Sequence, residues 1–273
     1  MKYAVNYVTP EVMELVAPSD TYIKYPGGKW DLDTLKQLVN DGHKVVLHGL
    51  IPSSGSILDP NLCDHIEEFA KLIKQTNQQW LSFHLDHKAK YVKEDYDTTI
   101  RNNIDKIREY CGQDMPILIE NMPPVDTIEE WCADPVMISK VCKKYNLGLL
   151  LDIPHAVISA KHRNEDAKKY IDSLPLDRVK EIHISGWSEL SDGKLYDSHV
   201  ECATESYDIL DYSLEKTPNC EMISLEYAPS RDYDGHQVAK EYRENRVAND
   251  FYVEQQRQLK KVKDIVRCRE EER

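Results

Sequence analysis

Nine residues of this chain combine a type that holds metal ions with a telling position, and most of them stand where a short apolar run stops. His48 closes VVLH, His84 follows LSF, Glu120 closes ILIE, Asp152 closes GLLLD, His183 sits in KEIHI and Glu226 closes MISLE. His155 follows Asp152 in an Asp-x-x-His spacing, close enough for both to reach one ion. Asp197 and His199 form Asp-x-His, which on an extended segment aims both side chains the same way. The set is five histidines, two aspartates and two glutamates, all nitrogen or oxygen donors. That is more than one tetrahedral or octahedral ion can use, and it suits two or three ions bridged by carboxylates. Four carboxylates meeting at one place repel unless cations lie between them. Three divalent ions would outweigh that charge and leave positive potential for a thiolate, hydroxide or phosphate. Asn121 adjoins Glu120, so its amide is a candidate to orient that carboxylate or to bind substrate, with a turn-forming asparagine as the plain alternative. His43, His65, His87, His162 and His236 fall in expected turns or helices and read as structural or solvated.

Something must bring these residues to one place. Eight short runs rich in β-branched and apolar residues recur at 3–8, 20–24, 45–48, 81–85, 117–120, 148–152, 180–184 and 222–226, with helical periodicity between them. Such alternation specifies parallel βαβ units, and eight of them predict a closed (β/α)₈ barrel, which commonly takes about 250 residues as one domain. The C-terminal ends of barrel strands form the mouth where chemistry is done, and six of the strand-end residues above belong there. The clearest helix is expected over 60–75, where Leu62, Ile66, Phe69, Ala70 and Ile73 share a face after Asp59-Pro60. Residues 185–204 read as a long polar loop of the kind that carries function. The chain, 1–273, reads as a single barrel domain without linker or repeat; 236–266 is expected to be the last outer helix and 267–273 a solvated charged tail.

Composition narrows the partners. With 41% hydrophobic residues the chain can bury a core, and no apolar run approaches the roughly 18 residues needed to cross a bilayer, so no membrane is expected. MKYAVNYVTP lacks a basic start followed by an apolar stretch, which reads as a cytoplasmic protein without a secretory signal. Lys and Arg number 35 against 48 Asp and Glu, and the resulting charge of −13 repels phosphate backbones, so nucleic acid is not an expected partner. The seven cysteines are scattered with no Cys-x-x-Cys pair, which fits reduced structural thiols.

At these same residues the chain resembles the TIM-barrel superfamily shared by xylose isomerase, endonuclease IV and the multinuclear non-heme iron-dependent oxidases. LLLDIPHAVISA, YIDSLPLDRVKEIHISGW, Glu120-Asn121 and Asp197-Ser198-His199 are similar to the oxidases, relatives of the methanobactin-precursor oxidase. The likeness covers most of 45–230 and is weak before residue 40. Where that family often has a second histidine soon after the seventh-strand histidine, this chain has Trp187. The resemblance implies a xylose isomerase-like barrel with His48, His84, Glu120, Asp152, His155, His183, Asp197, His199 and Glu226 as ligands, Glu120 and Asp152 bridging. It further implies two or three iron ions of mixed valence in the active form, with zinc or manganese as occupants of the isolated protein. Molecular oxygen would be the oxidant, a cysteine in a ribosomally synthesised precursor peptide the substrate, and a small leader-peptide-recognising protein the partner. Three other readings stay open at this level. An endonuclease IV-like zinc phosphodiesterase would use the same ligands. A sugar isomerase or epimerase would need only Glu120, Asp152, His183 and Glu226. A partner-binding barrel would need none.

Overall fold

Each of the eight apolar runs forms a strand: β1 Lys2–Asn6, β2 Thr21–Pro26, β3 Val45–His48, β4 Leu81–His84, β5 Ile117–Glu120, β6 Gly148–Asp152, β7 Val179–Ile184 and β10 Met222–Leu225. Two further strands, β8 Gly186–Glu189 and β9 Leu195–Val200, lie between β7 and β10 in the chain and outside the barrel sheet. The eight pair in parallel in the order β1-β10-β7-β6-β5-β4-β3-β2, and β2 returns to β1, so the sheet closes. The computed structural model describes residues 1–6, 10–16, 21–26, 32–50, 55–76, 78–86, 95–124, 130–228 and 248–271. His87 and His236 lie outside them.

Strand alternation sorts the side chains into two sets with different fates. Val5, Ile23, Leu47, Phe83, Ile119, Leu151, Ile182 and Leu225 point outward into the main core, where they meet helix residues such as Leu35, Phe69, Ile104, Ile138 and Val262. Ala4, Val46, Trp80, Leu118, Leu150 and Met222 form a second buried cluster, the floor of the barrel lumen. Two positions further along the same strands stand Asn6, His48, Ser82, Glu120, Asp152 and Ser224, all buried and all polar. Apart from Lys24 and Glu181, which are level with Val46 and Leu150, the lumen therefore changes from apolar to polar within one repeat of the pleat, and that polar layer is the base of the site.

The helices described around the barrel are α1 Pro10–Met13, α2 Leu32–Asn40, α3 Ile66–Thr76, α4 Tyr96–Cys111, α5 Pro135–Tyr145, α6 Ile153–His162, α7 Ala167–Asp172, α8 Thr204–Lys216 and α9 Ala248–Glu271. The helix expected from residue 60 begins at Ile66. Asp59 instead closes a turn by accepting from the Asn61 amide at 3.0 Å, and Asn103 of α4 takes the Ile57 and Asp59 carbonyls, each at 2.9 Å. The last helix also differs from expectation. It is described from Ala248, the residues just before it lying outside the described set, and it continues through Arg267 to Glu271, so most of the expected tail is helical. Arg269 holds that final turn against α8 through a forked pair with Asp211, Nη2 donating to Oδ2 at 2.8 Å. Among the described residues no helix is long and apolar enough to cross a membrane.

Candidate metal centre

Six strands deliver their terminal side chains to the mouth, and the register decides which of them meet. His84 on β4 lies beside Glu120 on β5, and Asp152 on β6 lies beside His183 on β7. His48, His84 and Glu120 each present one ligand atom within 4.8 Å of the other two, and so do Glu120, Asp152 and His183. Glu120 belongs to both groups. Its Oε2 faces His48 Nε2 at 3.0 Å and His84 Nε2 at 3.4 Å, while Oε1 faces His183 Nδ1 at 3.5 Å. Glu226 joins the second group, with Oε2 3.3 Å from His183 Nδ1. Asp152 does two jobs. It caps α6, accepting from the His155 amide through Oδ1 at 2.6 Å, and turns Oδ2 toward His183 Nδ1 at 3.5 Å. The helix therefore starts directly at the strand end, with no intervening turn, and lifts His155 over the mouth.

The remaining pair comes from outside the barrel wall. The segment read as a polar loop is an antiparallel hairpin formed by β8 and β9. Gly186 is needed where the two strands meet, because a Cβ there would collide with the Glu201 carbonyl. β9 carries Asp197 and His199, and His199 holds φ at 49°, a left-handed conformation rare for a residue with a Cβ. Its Nδ1 hydrogen-bonds to the Glu226 carbonyl at 2.9 Å, which fixes the ring against the barrel despite that backbone. Asp197 Oδ2 then lies 2.7 Å from His199 Nε2 and 3.3 Å from His155 Nε2. These three residues meet in pairs, at one side of the two groups that share Glu120. Trp187, on β8, is half-buried and packs on the main core.

The electrostatics of this cluster call for cations. His155 Nδ1 is engaged by the Asn121 carbonyl at 2.9 Å, so both His155 and His199 turn Nε2 toward one carboxylate oxygen. Glu120 Oε2, His183 Nδ1 and Asp197 Oδ1 are buried without a hydrogen-bond partner, although imidazoles lie 3.0 and 3.4 Å from the first and carboxylates 3.3 to 3.5 Å from the second. Burial, reinforced by the Lys24 ammonium, pulls His48 down to about 3 and keeps it neutral. Burial alone would lower His155, yet Asp152 and Asp197 beside it push it up to about 10. Burial likewise opposes ionisation of Glu120 and Glu226, but the imidazoles that face them, His183 among them in each case, hold the two carboxyls well below the usual range. Buried carboxylate oxygens and imidazole nitrogens facing one another at 3.0 to 3.5 Å are what divalent ions accommodate, so the donors present fit metal.

Comparison with known proteins gives the family. A family model described as the RiPP precursor modification enzyme MbnB/TglH/ChrH matches residues 11–244, an interval holding all nine residues. The chain belongs to that family. A UPF0276 protein of Acaryochloris marina is 29% identical over 206 residues, covering 70% of each chain. One from Bordetella pertussis is 32% identical over 121 residues, 42% of this chain and 41% of the relative. Among solved structures, the IOLI protein with a binding zinc atom superposes with a TM-score of 0.64 at 15% identity, over 97% of this chain and 98% of that one. A xylose isomerase domain containing protein of Salmonella typhimurium gives 0.63 at 10% identity, over 95% and 96%. Both show the xylose isomerase-like TIM barrel.

In this member of the MbnB/TglH/ChrH family, Asn121 ties its own segment to the start of α6. Its side chain accepts from the Asp152 amide at 2.9 Å and donates to the Asp152 carbonyl at 3.0 Å, clamping the β6–α6 junction. Lys24 and Glu181 were not singled out by sequence, yet they lie wholly buried under the centre, Nζ donating to Oε1 at 2.7 Å. The signal was present. Glu181 stands two residues before His183, hence on the same lumen face, and Lys24 is the charged residue of the strand TYIKYP.

Proposed function

We propose that this protein is a multinuclear iron-dependent oxidase that uses molecular oxygen to modify a cysteine in a ribosomally synthesised precursor peptide. The observation that supports the reading is a family match to precursor-peptide modification enzymes falling on a mouth where two donor groups share Glu120. One ion would be held by His48, His84 and Glu120, a second by Glu120, Asp152, His183 and Glu226, and a third, where present, by His155, Asp197 and His199. Iron in this setting supplies one-electron redox chemistry with oxygen and a Lewis-acidic seat for a thiolate.

The chain's own residues prepare that seat. Neutral His48 has Nδ1 engaged by Ser82 Oγ at 2.8 Å, which leaves Nε2 to face the centre. Asn121 holds Asp152 and His155 in register with each other. His84, with 30% of its side chain exposed while Glu120 and His183 are buried, marks the side from which a peptide thiol reaches the centre. The protein would act in the cytoplasm with a small partner that recognises the leader peptide, and zinc or manganese would occupy the centre without supporting oxidation. The charge of −13 favours a peptide over the DNA strand that a phosphodiesterase on this barrel would need.

Anaerobic reconstitution with ferrous iron, followed by oxygen and a cysteine-containing precursor peptide, should change the mass of the peptide. Turnover supported by zinc alone would overturn the proposal.

A further inference from the structure

Beneath the centre is a second polar cluster that no ligand role explains. Lys24 and Glu181 are both buried in the lumen, where an ion pair costs desolvation and removing one partner strands the other charge. Glu181 is fully engaged. Its Oε1 accepts from Lys24 Nζ at 2.7 Å and from Ser224 Oγ at 2.6 Å, and its Oε2 accepts from Trp80 Nε1 at 2.9 Å. Three strands or strand approaches, around β2, β4 and β10, thus lock one carboxylate of β7. That carboxylate also lies 3.2 Å from His183 Nε2, and Lys24 Nζ touches the same nitrogen. The opposite ring nitrogen, Nδ1, faces Glu120, Asp152 and Glu226 at 3.3 to 3.5 Å and has no hydrogen-bond partner.

We infer that Lys24 and Glu181 are positioning residues that aim His183 Nδ1 at the ion shared with Asp152 and Glu226. A histidine that ligates through one nitrogen keeps its proton on the other, and a fixed carboxylate behind the ring both accepts that hydrogen bond and sets the ring plane. Glu181 is that carboxylate. With that nitrogen carrying the proton, Lys24 donates to Glu181 and not to the ring, and it balances the carboxylate's charge, so that the locked group adds no net negative charge below a mouth that already holds four carboxylates. Trp80 and Ser224 hold Glu181 in place whether or not an ion is bound. The inference rests on the reading of the mouth as a metal centre, and concerns one ion of the set.

The test is site-resolved metal binding, independent of turnover. Crystals of wild type, E181Q and K24M/E181Q are soaked anaerobically in stepped concentrations of ferrous iron, and anomalous peak heights at the iron edge are read at each position. The amide introduced in both variants still offers polar partners to Trp80 and Ser224; the double variant leaves no unpaired charge and should fold with a thermal midpoint near wild type, whereas E181Q strands the Lys24 ammonium and should melt lower. The peak beside His183 should need about 10- to 100-fold more iron in both variants, while the peak between His48 and His84 fills as in wild type. Unchanged filling at both positions, or an equal loss at both, would overturn the inference. If E181Q does not fold, K24M/E181Q alone decides by the same two readings. Wild-type crystals with no peak at all would instead overturn the metal-centre reading itself.

Discussion

Glu120 is the side chain on which both donor groups depend, so its loss should act differently from the loss of any single histidine. Glu120→Ala is expected to lower bound metal by more than one ion per chain, whereas His84→Ala should remove one; elemental analysis of protein reconstituted with ferrous iron separates the two outcomes. Asn121→Ala removes the clamp on Asp152 without touching a donor atom. Metal affinity should fall about 10- to 100-fold with little change in the fold, as read by titration and circular dichroism. His155 makes a pH prediction with a definite sign. Its imidazole is pushed up to about 10 by Asp152 and Asp197 once burial is overcome, so at neutral pH it holds a proton that an ion must displace. Metal affinity should therefore rise as pH increases between about 7 and 9, with protons released on binding, and calorimetry in buffers of different ionisation heat counts them. H155Q should lose that part of the pH dependence.

The hairpin β8–β9 is the element whose integrity the third group of donors requires, because Asp197 and His199 have no barrel strand of their own. Gly186→Val would force the Glu201 carbonyl away from β8. The variant is expected to be destabilised by about 1–3 kcal/mol in urea unfolding and to bind fewer ions than wild type, keeping those at Glu120. Wild-type metal content in that variant would contradict the assignment of Asp197 and His199. This element was also the least legible in sequence. Its residues are polar and include Ser-Asp-Gly, so a turn could be read, but the seating of the paired strands on the barrel rests on long-range contacts such as that of His199 with the Glu226 carbonyl. The barrel strands were legible because each is a short apolar run whose two faces are both buried, one against helices and one in the lumen. Helix ends were less so: the start of α3 is decided by contacts from Asn103 on the following helix, and the end of α9 by Asp211 on α8.

At the scale of the whole molecule, bound ions should act as part of the fold. Chelation leaves buried carboxylates with only histidines for company, and removal of ions present at a hundredfold over Kd should lower stability by about 2.7 kcal/mol per site, seen as a fall in Tm that ferrous iron restores. Sequence alone determined which barrel strands exist, that they alternate with helices and close into a barrel, and which donors stand at the strand ends, because those are properties of local pattern. It did not determine that Glu120 joins two groups, that Asn121 clamps a backbone junction, or that Lys24 and Glu181 support His183. Those follow from strand register and from side chains 31 to 159 positions apart being packed into one lumen, where burial removes water and leaves each polar group only the partners that the closed sheet brings to it.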